Sequence, residues 1–139
     1  MSPELMIAIG GVLLIVLIVG AVTTKLVVRR APLRQKRKGN QQKWRELQQF
    51  CKDKTTWPNA IVAADTLLDK ALIRRGFKGK STGERLVSAQ RSFTDNDALW
   101  FAHKLCKKIQ DDPQLKLKER DVKNALIGFR QALKDIGAL

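Results

Sequence analysis

The chain contains one histidine, His103, and a cysteine three residues later, Cys106. Side chains at that spacing are neighbours on one face of a helix. A cysteine beside a histidine is also the pairing of a thiol nucleophile with its base. Lys104, Lys107 and Lys108 surround the thiol, and nearby cations lower a thiol pKa. The same stretch carries an opposing pattern. Leu99, Ala102, Cys106 and Ile109 recur at 3-4-3 spacing, which places Cys106 on an apolar helical stripe and therefore in a core. His103 borders that stripe and is expected to satisfy a hydrogen bond at its edge. A metal site lacks ligands: there is no second histidine, Cys51 is distant in sequence, and neither cysteine belongs to a CxxC pair.

Asp65 and Asp69 stand four apart, and paired carboxylates can do acid–base work or hold a cation. Asp65 lies among Ala63, Ala64 and Leu68 and is expected to be partly buried, while Lys70, Arg74 and Arg75 are close enough in sequence to pair with either acid. An ion pair that fixes helix register is the expected role. Gly79-Lys80-Ser81 matches the tail of a phosphate-binding P-loop, but the glycine required five positions earlier is Arg74, and a helix is expected where that motif needs a strand. The string reads as an inter-helix loop with a capped restart, with at most a weak anion contact. No catalytic, cofactor or metal-ligating set emerges. Asp65, Asp69 and His103 are the polar residues whose role, functional or structural, the fold must decide.

The elements that position them read as helices. Trp44, Leu47, Phe50 and Cys51 recur at helical spacing, so Gln41–Lys52 is expected as a short amphipathic helix. Pro58 suits the first turn of the next, whose apolar face is Ile61, Ala64, Leu68, Ala71 and Leu72 and whose end falls near Arg75 and Gly76. Ser81 with Glu84 forms a capping box that starts a helix at Thr82. Thr94 with Asp97 repeats the pattern before the Leu99–Ile109 stripe, which Asp111-Asp112-Pro113 ends. Val122, Ala125, Leu126, Phe129, Leu133 and Ile136 mark the last helix, closed by Gly137. No strand-like alternation occurs. Trp57 and Trp100 are expected in the core or at its edge.

The N-terminal end obeys different rules. Residues 5–28 form an apolar run broken only by Thr23, Thr24 and Lys25, and a helix of that length covers a hydrocarbon core of roughly 30 Å. A cleaved signal peptide would carry positive charge before the run and a small-x-small site after it; here Glu4 precedes the run and no such site follows. Arg29, Arg30, Arg34, Lys36, Arg37 and Lys38 follow on the other side, which the positive-inside rule assigns to the cytoplasm. Residues 29–40, containing Pro32 and Gly39, read as a basic juxtamembrane linker able to contact anionic headgroups. Gly20 and Thr24 supply one small-xxx-small pair for helix association. The chain has 27 Lys and Arg against 13 Asp and Glu, with residues 31–56 the most basic per residue at eight against two. Such a balance favours anionic lipid, an acidic protein or nucleic acid as partner.

The strings WPNAIVAADTLLDKALIRRGFKGKSTGERLVSA and ALWFAHKLCKKI, with the closing Gly137-Ala138-Leu139, resemble a family of small uncharacterised single-span membrane proteins from candidate-phyla bacteria. The resemblance covers Trp57 to Leu139 and implies a helical domain behind one N-terminal span. It carries no activity, cofactor or site residue across. Members of that family are in turn similar to the helical HEPN nucleotide- and RNA-processing domains, which carry an Arg-Asn pair and a following His. At the corresponding positions this chain has Cys106, Lys107 and Asp111, so the resemblance implies at most a shared fold without the ribonuclease residues.

The expectation is an all-α protein with one N-terminal transmembrane helix and a compact bundle of four or five helices. Residues 1–4 form a short extracytoplasmic end and residues 41–139 a cytoplasmic domain. The expected function is a non-enzymatic protein-interaction or scaffold module at the inner membrane surface, binding lipid headgroups and a protein partner or a second copy. A membrane-tethered nucleic-acid-binding or degenerate HEPN-like domain is the alternative, and a hydrolase built on Cys106 and His103 comes third.

Overall fold

A computed structural model describes residues 2–139, with the side chains of residues 26–33 outside the description, Arg29 and Arg30 among them. The described residues form five α-helices and three short 3-10 turns, with no strand among them. The chain divides into two compact units, one ending at Lys36 and the other spanning Arg37–Leu139.

Helix α1 runs Pro3–Gln49. Its first 23 residues, Pro3–Lys25, are long and apolar enough to cross a membrane, and none of that segment is buried by protein. The hydroxyls of Thr23 and Thr24 donate to the carbonyls of Gly20 and Ala21 at 2.9 and 3.0 Å, which gives the two polar side chains near the end of the run partners within the helix. The expected linker at residues 29–40 is helical instead. Residues 34–39 are all exposed, so no apolar period marks the helix there, and its Arg, Gln and Lys residues are good helix formers. The second compact unit begins at Arg37, four residues before Gln41.

In the second unit the end of α1 buries Trp44 and Leu47. The helix expected over Gln41–Lys52 is thus the tail of α1, which stops at Gln49, and Phe50–Lys52 tightens into a 3-10 turn. The indole of Trp57 donates to the carbonyl of Cys51 at 3.0 Å and fixes this corner. Helix α2, Trp57–Arg74, carries Pro58 in its first turn and buries Ile61, Ala64, Leu68, Ala71 and Leu72. It ends in a Schellman motif: Gly76, at φ +82°, lets its own N–H reach the Ile73 carbonyl and that of Phe77 reach Leu72. Helix α3, Thr82–Ser88, starts at the Ser81 cap.

Helix α4, Asn96–Asp111, is capped by Asp95, which accepts from the Ala98 N–H at 2.9 Å. The Thr94–Asp97 cap expected from sequence does not form, because Thr94 gives both its N–H and its hydroxyl to Asp135 at 2.9 and 3.0 Å. Helix α5, Glu119–Asp135, buries Val122, Ala125, Phe129 and Leu133, and Gly137 at φ +70° closes a second Schellman motif. Gly128 lets α5 approach α4 closely: a Cβ there would lie 2.7 Å from the Ala98 carbonyl oxygen.

One polar clamp ties the entry of this unit to its far end. Asn40, 4% exposed, donates to the Ala138 carbonyl at 3.1 Å and accepts from Arg74 at 3.2 Å. Arg75 adds a bond to the Gly137 carbonyl at 2.9 Å.

Candidate functional site

Helices α2 and α4 bring the sequence's three polar candidates to different places. Asp65 and His103 meet. The Asp65 carboxylate lies 2.8 Å from His103 Nδ1, both residues are 8% exposed, and the pair bridges the two helices. An ionised carboxylate can only accept, so Nδ1 carries a proton and donates it to Asp65. The Trp100 ring stands edge-on to the imidazole at 5.8 Å. Gly83, in the first turn of α3, covers the other side, where a Cβ would lie 3.7 Å from Nε2.

An aspartate–histidine pair is the orienting half of a nucleophilic triad, and Cys106 follows one turn along α4. The thiol nonetheless has the wrong chemistry. Cys106 is fully buried, and burial together with the adjacent Asp65 carboxylate pushes its pKa up to about 12, the opposing influence of Lys107 notwithstanding. Nucleophilic cysteines sit in electropositive, partly open surroundings that lower the pKa. Here the nearest strong charge is negative. The cluster is a buried polar tie that sets the register of α2 against α4, with Cys106 packed as a small apolar group as its stripe implies.

Asp69 leaves this cluster entirely. Its two oxygens accept from Arg85 Nε and Nη2 at 2.6 and 2.9 Å, a bidentate geometry that raises the Arg85 pKa. The expected partners Lys70, Arg74 and Arg75 are not the ones used: Arg74 and Arg75 turn to Asn40 and Gly137. Arg85 also donates to the Gly79 carbonyl at 2.6 Å, which folds the Gly79-Lys80-Ser81 loop against α3. Glu84 occupies the loop from the α3 side. The Lys80 N–H goes to the Glu84 carboxylate at 2.7 Å and the Glu84 N–H to Ser81 Oγ at 3.2 Å. A phosphate there would have to displace a carboxylate, so the P-loop likeness ends at the sequence.

Three of the surface cavities formed by the described residues lie within the second unit, and Asp65, His103 and Cys106 line none of these three. One of about 290 Å³, between the end of α1 and α2, has Leu47, Ala63 and Leu67 among its walls and Lys43, Glu46 and Lys70 around it. Phe50 lines it too and is 40% exposed. A second, of about 540 Å³, joins α1 to α5 and includes Arg37 of the sequence-predicted basic run together with Arg45, Arg130 and Lys134. Arg34, Lys36 and Lys38 are exposed as well.

Two features escaped the sequence. The Asp65–His103 pair spans 38 residues. Its trace was present, because an acid on one apolar stripe and the chain's one histidine beside another are the two groups that need a buried partner. The Asn40 clamp left no such trace, since a lone asparagine inside a basic stretch reads as solvated. Comparison of the chain with protein-family models, with curated proteins and with solved structures finds no match.

Proposed function

We propose that the chain is a membrane-anchored, non-enzymatic interaction module whose helical domain works at the cytoplasmic face of a membrane. In this reading Pro3–Lys25 crosses the bilayer, the N-terminus lies outside, and Arg29, Arg30, Arg34, Lys36, Arg37 and Lys38 meet anionic headgroups. The observation that supports an interaction role most directly is the groove of Leu47, Phe50, Ala63 and Leu67. It leaves a phenylalanine 40% exposed beside Lys43, Glu46 and Lys70, and exposed apolar surface rimmed by charge is the usual mark of a protein-docking site. Nucleic acid is the second reading, favoured by the 22 Lys and Arg against 12 Asp and Glu of residues 37–139.

A photo-crosslinking residue at position 50 of the full-length chain, in living cells, tests the proposal. A discrete protein adduct at position 50, absent with the same residue at Lys123, supports docking in the groove. Adducts to RNA alone, or equal labelling at both positions, overturn it. Orientation has its own test: an added cysteine beside Leu139 that reacts with an impermeant reagent in intact cells places the domain outside.

A further inference from the structure

We propose that the cavity between α1 and α5 is a binding site for a compact phosphate-bearing anion: a phosphomonoester, either free or on a lipid headgroup. The inference goes beyond the anchoring proposed above and does not depend on which side of the membrane the domain occupies. On α1, Arg37, Gln41, Trp44, Arg45 and Gln48 fall at spacings of 4, 3, 1 and 3, which is a single helical face. On α5, Arg130 and Lys134 are one turn apart. These side chains and Leu139 line one concavity of about 540 Å³.

The charge in that cavity is unbalanced. Among the described residues the ion pairs are Asp69–Arg85, Asp65–His103 and Glu119–Lys123, so none of Arg37, Arg45, Arg130 and Lys134 is neutralised by a carboxylate. Of the two acids adjacent in sequence, Glu46 accepts from Gln42 and Asp135 from Thr94 and Gln131, and neither pairs with a cation of the cavity. Even with a carboxylate at Leu139 counted against them, the walls keep an excess of three positive charges. Three of the cations are arginines, whose planar forks match phosphate oxygens in pairs.

A second observation points the same way. Trp44 is 6% exposed and forms part of the wall, and its indole N–H is buried without an acceptor. Trp57, equally buried, donates to Cys51. An orphaned buried donor is rare and costly, and this one belongs to a wall residue beside four cations that have no carboxylate partner. The geometry also separates the two macromolecular readings. Strand binding needs exposed aromatic faces along a groove, whereas Trp44 is edge-sealed and the site is a single pit, which suits one phosphate group.

The test uses the full-length chain in phosphatidylcholine nanodiscs, with the Trp44 indole N–H resonance, assigned through Trp44→Phe, as readout. Glycerol phosphate is titrated in one arm, and phosphatidic acid replaces part of the lipid in the other. Saturable movement of that resonance in either arm supports the site and identifies the source, free ester or headgroup. The double variant Arg130→Gln/Lys134→Gln should weaken binding about 25-fold, at roughly fivefold per cation, the equivalent of ~1 kcal/mol each. Lys104→Gln/Lys108→Gln removes the same charge from α4, away from the cavity, and should change binding less than twofold. An unmoved Trp57 indole resonance certifies that each variant is folded. Equal weakening by both doubles would mean diffuse attraction and overturn the site. So would no movement in either arm, or a Trp44 response to a single-stranded RNA oligomer alone.

Discussion

Cys106 offers the sharpest test of whether α4 carries chemistry. With its thiol at about 12, the thiolate fraction at pH 7 is ~10⁻⁵, against ~3 × 10⁻² for an unperturbed cysteine near 8.5. The charge state alone therefore slows alkylation ~3,000-fold, and full burial adds to it, because reagent reaches the sulfur only when the domain opens. Cys51 is an internal reference, part-buried and with its pKa raised by burial. The assay is iodoacetamide labelling of the folded full-length chain at pH 7, followed by peptide mass spectrometry at successive times. Cys51 should label first and Cys106 should remain at least three orders of magnitude slower than free cysteine, the two converging in urea. A Cys106 that reacts as fast as free cysteine would refute the argument, restoring the Asp65–His103 pair as the orienting half of a working triad.

The remaining predictions concern stability. A fragment of residues 37–139 is expected to melt cooperatively by circular dichroism, and residues 41–139, which lack Asn40 and its bonds to Ala138 and Arg74, to be less stable by ~1–3 kcal/mol in urea titrations. In the same fragment Phe129→Ala empties a fully buried position and should cost ~3–5 kcal/mol, enough to leave little folded protein at 37 °C. Two glycines should respond with opposite signs. Gly39→Ala meets nothing within 4 Å and should gain up to ~1 kcal/mol of helix propensity, while Gly128→Ala drives a Cβ to 2.7 Å from a backbone oxygen and should lose ~1–2 kcal/mol net. Asp135 is opposed by burial, yet hydrogen bonds from Thr94 and Gln131 hold its carboxyl below the ordinary 3.8. Its contribution is complete above that value and lost as the pH falls through the lower folded one, so the difference in Tm between the wild type and Asp135→Asn should be constant near neutrality and shrink in acid.

What could be read beforehand was whatever one segment determines by itself. The stripes of α2, α4 and α5 bury the residues their spacing implies, and the Ser81 cap forms because its two partners are three residues apart. Errors arose where two distant segments compete for one group. Thr94 was free to cap α4 until Asp135, 41 residues away, claimed it, and Asp69 had three nearby cations before Arg85 supplied a better fork. The helical backbone of the basic stretch left no periodic trace, because periodicity reports which face of a helix is buried and residues 34–39 are all exposed. Of the cavity between α1 and α5, only Arg37 stood out, because the other cations reach it from a helix more than eighty residues further along the chain or from the helical turns beyond the basic run.

The Asn40 clamp has a consequence in time as well as in space. Its acceptor, the Ala138 carbonyl, lies 98 residues downstream. At ~5–20 residues per second of synthesis, roughly 5 to 20 s pass between the two residues being made. For most of that interval Trp44 has no α5 beside it, while the apolar segment before it has already been made. The order of events follows from position in the chain: the apolar segment is made first, and the Asn40 bond can form only once Ala138 exists. Truncation between α4 and α5 should then leave α1 to α4 without the Ala138 and Gly137 bonds and without the α5 face of the core, and so raise sensitivity to added protease.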